Sequence, residues 1–371
     1  MSEIILSTNI ERSAKVMMIE SMFDIEAQGL ATTKIIDNIP DLSQRDWNIG
    51  LIVGASGSGK STTARKHFGE LVDPVLEWDN NKAIVDHFPS TMSLKDVAMI
   101  LSSVGFSSPP AWLRPYETLS TGEKFRVSIA RLLCEHSELV VVDEFTSVID
   151  RTVAKIGSVA IAKAVRERNQ KFVAVSCHYD IKEWLTPDWT YEPATGVFRW
   201  ESLQRPKVDI VVRRCHRSSW SLFARHHYLN QDNVTSWTTY VAFYEGQPAA
   251  LCSVLPFPHA KVKSGRRIAR IVTLPDYQGI GIGAKLSALV GGAYSANGNP
   301  VYAVTSHPAV IKGYNSHPAW AMIRKPSRVG TQGKTSTLKS KIVSSTSRMT
   351  ATFKYVGEPD FEARKLLPDR D

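Results

Sequence analysis

Cysteine is scarce in this chain, long apolar runs are missing, and acidic residues vanish from one long stretch. The four cysteines, Cys134, Cys177, Cys215 and Cys252, lie far apart and without C-x-x-C spacing. That pattern argues against a disulfide framework and against a thiolate zinc site. Nowhere do about 18 apolar residues run together, so no transmembrane helix is readable and no membrane partner is expected. The opening Met1-Ser2-Glu3-Ile4-Ile5-Leu6 lacks a basic n-region and a long apolar h-region. No secretory signal is therefore evident, and a cytoplasmic location is expected. From Tyr277 to Gly357 there is no Asp or Glu at all.

What is present is ordinary globular composition: 371 residues, 43% hydrophobic and 22% charged. That length suits two domains of about 150–200 residues. Charge divides them. Residues 201–371 carry 24 Lys and Arg against 10 Asp and Glu, a net +14, while residues 1–200 carry 21 against 26, a net −5. Such asymmetry points the C-terminal half toward a polyanion, so nucleic acid is the expected partner, DNA more than RNA. A solvated basic face, or a site for one phosphorylated cofactor, would also fit.

Short apolar runs alternate with helical patterns. Ile49-Gly50-Leu51-Ile52-Val53, Leu139–Val142 and Lys171–Val175 read as buried parallel strands, and Ser61–Phe68 as a helix. Ser13–Gln28, closed by Gly29, reads as a helix carrying Met17, Met18, Ile19, Met22 and Phe23. The pattern breaks around Pro187, Pro193, Gly196 and Pro206, which places a domain boundary near residue 204. Beyond it, Ser219–Tyr228 reads as a helix, and Tyr240–Tyr244 with Ala249–Leu255 as a hairpin turning at Glu245-Gly246-Gln247-Pro248. Arg267–Leu274 and Val301–Thr305 read as strands and Ala284–Tyr294 as a helix. Residues 326–352, rich in Ser, Thr and Lys, read as a mobile basic arm or as irregular edge strands. Ser306-His307-Pro308-Ala309 is echoed once, at Ser316-His317-Pro318-Ala319.

The first chemical motif is Gly54-Ala55-Ser56-Gly57-Ser58-Gly59-Lys60-Ser61, between a strand and a helix. Glycines let backbone N–H groups turn inward around phosphate oxygens, and the helix N-terminus adds its dipole. Lys60 supplies a charge to the β- and γ-phosphates, and Ser61 a hydroxyl for Mg²⁺. Gly54, Ser56, Gly57, Gly59, Lys60, Ser61 and Thr62 are thus the expected ATP-binding residues. After the strand Leu139–Val142 come two carboxylates. Asp143 suits the Mg²⁺ shell together with Ser61, and Glu144 suits the attacking water.

Between them stands Leu119-Ser120-Thr121-Gly122-Glu123, leading into a helical pattern about twenty residues before Asp143. In this order the motifs resemble the ABC ATPase family. Leu119–Glu123 is similar to its signature motif, Ser147-Val148-Ile149-Asp150 to its D-loop, and His178 to its switch histidine. Thr121 and Glu123 depart from the usual Gly and Gln. Glu77-Trp78-Asp79-Asn80-Asn81 stands where the family carries a Q-loop glutamine, and no clear adenine-stacking tyrosine is found. The resemblance implies a head-to-tail homodimer, with each ATP between one subunit's Lys60 loop and the other's Ser120, Thr121 and Gly122.

A second strand runs into a Gly-rich loop at Gln278-Gly279-Ile280-Gly281-Ile282-Gly283 and then into a helix. The N–H groups of Gly279, Gly281, Gly283 and Ala284 are placed to cradle a pyrophosphate. A Rossmann reading lacks its βαβ unit and ribose carboxylate. The segment resembles the Q/R-x-x-G-x-G/A motif of GNAT acyltransferases. That implies acetyl-CoA or another acyl-CoA, with pantetheine along the strand holding Val272 and Leu274 and pyrophosphate on the loop from Gln278. Acyl transfer to an amine needs a proton acceptor, and His is the natural candidate near neutral pH. His227 and Tyr228, within Arg225-His226-His227-Tyr228-Leu229, and His307 are the candidates. Tyr314 is a candidate acid for the leaving thiolate, and His317 lies nearby.

The expected fold class is α/β: a P-loop ABC ATPase domain over residues 1–203, then a GNAT-like α+β acyltransferase domain over 204–371. This pairing resembles prokaryotic and phage ATPase–acetyltransferase fusions. The His-His-Tyr-Leu element is similar, over a few residues, to the Mom-type enzymes that modify phage DNA. Three functions follow from the resemblances: acyl transfer to a nucleic-acid base, acyl transfer to a protein lysine or small amine regulated by ATP, and an ATP-gated nucleic-acid clamp without catalysis.

Overall fold

Ile49–Val53 is buried at every position. A strand covered on both faces reads as such a continuous apolar run. It forms β3, at the centre of a five-stranded sheet ordered β4-β5-β3-β6-β7, with β4 at Leu139–Val142, β5 at Lys171–Ser176, β6 at Trp189–Glu192 and β7 at Val197–Trp200. The first four run parallel, and β7 pairs antiparallel with β6. The structure is a computed structural model. It describes residues 2–25, 30–69, 76–202, 204, 206–227, 238–257, 262–328 and 349–368. Two compact units interleave along the chain. One holds residues 1–75, 136–148 and 165–205; the other holds 76–135, 149–164 and 206–371.

The first unit is built on the parallel sheet. Its core gathers Trp47, Ile52, Ala64, Val141, Val173, Val175, Trp189 and Tyr191. Trp47 meets Trp189 edge-on, with ring centroids 5.5 Å apart. Asp188 fixes where β3 starts, because its Oδ2 accepts from the N–H groups of Asn48 and Ile49, both at 2.8 Å. The helix α2 (Lys60–Phe68) follows β3, and the short α7 (Ile181–Leu185) follows β5. A separate antiparallel pair, β1 (Ser2–Asn9) and β2 (Leu30–Asp37), was not readable as strands in the sequence. Asp37 ties β2 to α2 through Lys66 at 2.5 Å and His67 at 2.8 Å. Between β1 and β2 lies α1 (Ala14–Phe23), capped by Ser13 and stopped by left-handed Asp24, five residues short of the expected Gly29 stop. It buries none of its own residues.

The second unit carries a seven-stranded sheet ordered β13-β14-β12-β11-β10-β9-β8. Its strands are β8 (Val211–Cys215), β9 (Thr238–Tyr244), β10 (Gln247–Pro256), β11 (Arg266–Thr273), β12 (Val301–Thr305), β13 (Trp320–Arg328) and β14 (Met349–Tyr355). The β9–β10 turn is tighter than expected. Glu245 and Gly246 alone make it, both at positive φ, and Gln247 and Pro248 already pair in β10. That is the backbone a two-residue hairpin loop demands. β11 and β12 are parallel, joined by the crossover helix α9 (Ile282–Ala296). The expected helix over Ser219–Tyr228 is instead a chain of short turns around α8 (Trp220–Phe223), with His227 extended. Trp220 and Phe223, one turn apart, both reach the apolar cluster with Val241, Leu251 and Val272. Of residues 326–352, one end closes the edge strand β13 and the other opens β14 beside it, the two paired with shifted register; residues 329–348 lie outside the described residues. The helix α10 (Pro308–Ser316) is bracketed by the two echoed His-Pro elements.

Packed in the same unit are α3 (Leu94–Ser103), α4 (Pro109–Trp112), α5 (Thr121–Glu135) and the part of α6 (Arg151–Glu167) up to residue 164. Among the described residues, no helix is long and apolar enough to cross a membrane.

Gly50 pairs with Trp189 across β3 and β6, and a Cβ on Gly50 would lie 2.1 Å from the indole. Neither the ring nor the ladder has room to yield. Gly50→Ala is expected to lower stability by about 2–3 kcal/mol, as overpacking does. A lower urea midpoint at unchanged m-value would report it.

Candidate functional site

The segment 54–59 leaves β3 as a tight loop. Gly57 and Gly59 stand at φ +77° and +89°, and a Cβ on Gly59 would lie 2.7 Å from Ile35. Only glycine fits that backbone. Lys60, 7% exposed, folds back over the loop and donates from Nζ to Ala55 O at 2.9 Å. The ammonium thus sits above the concavity that the loop makes, in a place where a phosphate oxygen would replace the carbonyl. Ser61 and Thr62 follow, half-buried in the first turn of α2.

Three strand ends are stitched together around this loop. Gly54 N–H donates to Ser176 O at 3.3 Å, and Phe145 N–H to Val175 O at 2.9 Å. The Ser176 hydroxyl donates to Phe145 O at 3.0 Å and accepts from His178 N–H at 3.2 Å. The loop, Asp143 with Glu144, and His178 therefore share the carboxyl edge of adjacent parallel strands, the edge where open α/β sheets hold ligands. Asp143 Oδ1 accepts from Glu144 N–H at 2.9 Å, and Glu144 Oε2 from the Ser147 hydroxyl at 2.6 Å. Glu144 is exposed, at φ +50°. Among the described residues no three His, Cys, Asp or Glu gather into a metal cluster. Mg²⁺ here would rest on the hard oxygens of Ser61 and Asp143 together with nucleotide oxygens, which is how this ion is ordinarily held.

The signature-like segment lies in the second unit. Ser120 and Glu123 form a capping box on α5. Glu123 Oε2 accepts from Ser120 N–H at 2.9 Å, and Ser120 Oγ accepts from Glu123 N–H at 3.3 Å. Glu serves this geometry as well as Gln, which accounts for that departure. Ser120 and Thr121 are exposed, and Gly122 half-buried. In the segment replacing the Q-loop, Trp78 stacks on Tyr116 at 4.3 Å, and the Arg131 guanidinium lies over the same indole at 4.8 Å.

The second Gly-rich loop follows β11 and a one-turn 3-10 helix at Pro275–Tyr277. Gly281 is the residue before α9, at φ 87° and ψ 11°, and it supplies no side-chain cap. A Cβ on Gly281 would meet nothing within 4 Å, so the space above these first amides is open. Gly283 sits one residue into the helix beside Thr273, with Ala284 next. The ladder between β11 and β12 covers Arg266–Ile268, whereas β11 runs on to Thr273. A linear amide chain could pair with that later stretch. Val272 and Leu274 turn their side chains into the Trp220 cluster, so a ligand would meet their backbone.

Other candidates are bound into the protein. Gln278, 8% exposed, accepts at Oε1 from Ser107 N–H at 2.6 Å and donates from Nε2 to Thr273 O at 2.9 Å. Gly279 packs against Ala160 and Gly105. His307 donates from Nε2 to Ser107 O at 3.1 Å and meets Trp112 edge-on. Burial lowers its pKa, opposed by that bond. His307 and Gln278 thus hold the backbone of the same residue, Ser107, from its two sides. Tyr314 lies in the core against Trp320 and Phe353, and burial pushes its phenol far above the usual range. His317 caps the end of α10. His227 is buried with its ring edge-on to Trp220 at 5.5 Å. Its neighbour His226 has its pKa lowered by burial and by Arg225. Tyr228 lies outside the described residues. The residue that sequence reading missed is Arg126, 1% exposed and bonded to the carbonyls of Pro275 and Asp276. An Arg inside an apolar helical pattern was the one available signal.

Comparison with known proteins finds a likeness to two kinds of protein. Residues 179–296 match the acetyltransferase (GNAT) family. An energy-coupling factor transporter ATP-binding protein of Pediococcus pentosaceus is 27% identical over 194 residues, covering 42% of this chain and 67% of the relative. A lipoprotein-releasing system ATP-binding protein of Rickettsia conorii is 23% identical over 203 residues, covering 45% of this chain and 90% of the relative. A solved bacterial Atm1-family ABC exporter with ATP bound is 18% identical, at a TM-score of 0.32, over 47% of this chain. The present chain spans about a third of that exporter's length, 35%.

The buried imidazole of His307 carries a pH signature. Its pKa is lowered on folding, so between the folded value and the ordinary value of about 6.5 the unfolded chain binds the extra proton. Stability then rises with pH in that window and is lost as pH falls below about 6.5. Thermal melts from pH 7.5 to 5 should show a steeper loss for the wild type than for His307→Gln. Parallel profiles would mean that the proton binds elsewhere.

Proposed function

We propose that this chain, an ABC-type ATPase joined to a GNAT acetyltransferase domain, transfers an acyl group to an amine on nucleic acid, in the first place a DNA base, with ATP hydrolysis serving that reaction. The observation that carries the substrate class is the net +14 of residues 201–371 against −5 for the rest. A protein that neutralises phosphates with Lys and Arg gains affinity for any nucleic acid.

On the ATPase side, Lys60 releases Ala55 O to hold a phosphate oxygen, and the amides of the 54–59 loop bind the same group. Ser61 and Asp143 supply metal ligands, Glu144 orients the attacking water, and His178 stands at the γ-phosphate position. The working form is a head-to-tail homodimer in which Ser120, Thr121 and Gly122 close over the partner's nucleotide.

On the transferase side, acetyl-CoA when bound supplies a thioester activated toward an amine. The amides of Gly281, Gly283 and Ala284 hold its pyrophosphate, and the backbone of β11 beyond Ile268 orients its arm. His227 is the proton acceptor for the attacking amine, its ring buried beside Trp220 until the amine reaches it, with Tyr228 next in the chain. A base amine inside a duplex is out of reach, so the target is taken single-stranded or extruded, a step that ATP can drive.

The test is mass spectrometry of nucleosides from DNA and tRNA incubated with protein, acetyl-CoA and ATP. The wild type should add an acyl mass to one nucleoside, and Gly281→Glu, which puts a carboxylate into the pyrophosphate cradle, should not. Lys60→Ala should lower ATP hydrolysis about 100-fold or more, the scale of losing one transition-state donor. Unchanged nucleoside masses with the wild type would overturn the substrate class. Retained ATP turnover in Lys60→Ala would overturn the ATP site.

A further inference from the structure

Among the described residues Arg126 is the least accessible charged side chain, 1% exposed on α5. It stands five residues after Thr121, about 7.5 Å along the helix at 1.5 Å per residue. Its Nη1 donates to Pro275 O at 2.7 Å, and its Nη2 reaches Asp276 O at 3.4 Å. These carbonyls belong to the turn just ahead of Gln278 and Gly279. A buried guanidinium is costly unless its donors are used, so this bond pair resists opening. Burial lowers its pKa, opposed by Asp276 and Glu123.

The same short loop is gripped from further directions. Ser107, on the connection after α3, donates its N–H to Gln278 Oε1 at 2.6 Å and accepts from His307 Nε2 at 3.1 Å. A Cβ on Gly279 would lie 2.6 Å from Ala160 of α6 and 3.0 Å from Gly105. A Cβ on Gly105 would lie 2.7 Å from Gln278 O. Lys155 of α6 pairs with Glu245 in the β9–β10 turn at 2.6 Å. Gly105 and Gly279 meet backbone to backbone, Ala160 adds only its methyl, and all of it lies within one compact unit. The loop that leads to Gly281 therefore cannot shift without α5, and α5 begins at the signature-like Ser120–Gly122.

We propose that Arg126 is a positioning residue that locks the Pro275–Gly279 segment to α5, so that nucleotide engaged at Ser120–Gly122 resets the pyrophosphate cradle and alters affinity for acyl-CoA. This rests on the reading of the two loops as ATP and acyl-CoA sites. α5 acts as a rod: one end meets nucleotide in the dimer, and its flank carries the cradle's approach. Because such coupling is a free energy shared by the two sites, it is reciprocal.

The experiment is calorimetry on the full chain, with CoA and a non-hydrolysable ATP analogue as probes. The wild type should bind CoA with a Kd changed about fivefold or more when the analogue is present, and the analogue's Kd should change by the same factor with CoA. Arg126→Lys keeps the charge but not the fork that reaches two carbonyls. It should hold each separate Kd within about twofold while the coupling ratio falls to about one. Hydrogen exchange of residues 275–284 supplies a second readout. Their protection should respond to the analogue in the wild type and not in Arg126→Lys. Equal CoA affinity with and without nucleotide in the wild type, or a full ratio kept in Arg126→Lys, would overturn the proposal. If CoA fails to bind while residues 275–284 still respond to nucleotide, the acyl-CoA reading falls and the mechanical link stands. Should Arg126→Lys not fold, the wild-type reciprocity and exchange decide alone.

Discussion

The first amides of a helix have no partner within the helix, and twice among the described residues the position before them is a left-handed glycine with no side chain to cap them. Gly59 precedes α2 at φ 89° and ψ 12°; Gly281 precedes α9 at φ 87° and ψ 11°. Most helix starts are closed by Ser, Thr, Asp or Asn. α1 and α3 obey that rule, with Ser13 and Ser93 accepting from the helix. Where glycine stands instead, in the left-handed region, the strand turns sharply into the helix and the donors stay turned outward. An anion satisfies those donors and the helix dipole together. Both candidate sites of the chain follow from that one local arrangement, built once on a parallel sheet and once on the parallel β11–α9–β12 crossover of a mostly antiparallel one.

The two cradles differ in what stands around them. The first has a lysine folded over it and two carboxylates on a neighbouring strand end, so it can balance a triphosphate and hold a metal. The second has neither. Its approach segment is fastened by Arg126 directly and through Gln278 to Ser107, which His307 also holds, and its own motif carries no charged residue. A site of that kind suits binding of a diphosphate that takes no part in bond breaking. The proposed division between ATP chemistry and acyl-CoA binding rests on which polar groups accompany each loop.

Much of this was legible in the chain. Ile49–Val53, Leu139–Val142 and Lys171–Val175 read as strands because burial on both faces makes them uniformly apolar, and the glycine spacing marked both loops. The strands β1, β2, β6, β7 and β8 were not legible. β1 and β8 are largely exposed, and β6 mixes Trp, Thr, Tyr and Glu, so neither an apolar run nor a clean alternation announces them. His307 and Tyr314 looked chemical because His and Tyr are chemical residues. One is spent on a backbone carbonyl and the other on packing, and spacing along a chain does not distinguish those fates. Arg126 was silent for the opposite reason, since its partners are carbonyls about 150 residues away and carbonyls carry no sequence signature.

That silence bears on how the two activities share one chain. The composition break near residue 204 invites a picture of two beads on a linker. The contacts group residues 76–135 and 149–164 with residues 206–371 instead. The signature-like turn and the second cradle then belong to one packed body, whose joint is made of a buried cation, two side-chain bonds to the backbone of Ser107, and glycine backbones in direct contact. Interiors packed in this way have discrete arrangements rather than a continuous range, so a displacement of α5 is passed on whole or not at all. A flexible linker would have left ATP hydrolysis and acyl transfer independent. A joint of this stiffness, under the proposed reading, ties acyl-CoA binding to nucleotide at the start of α5.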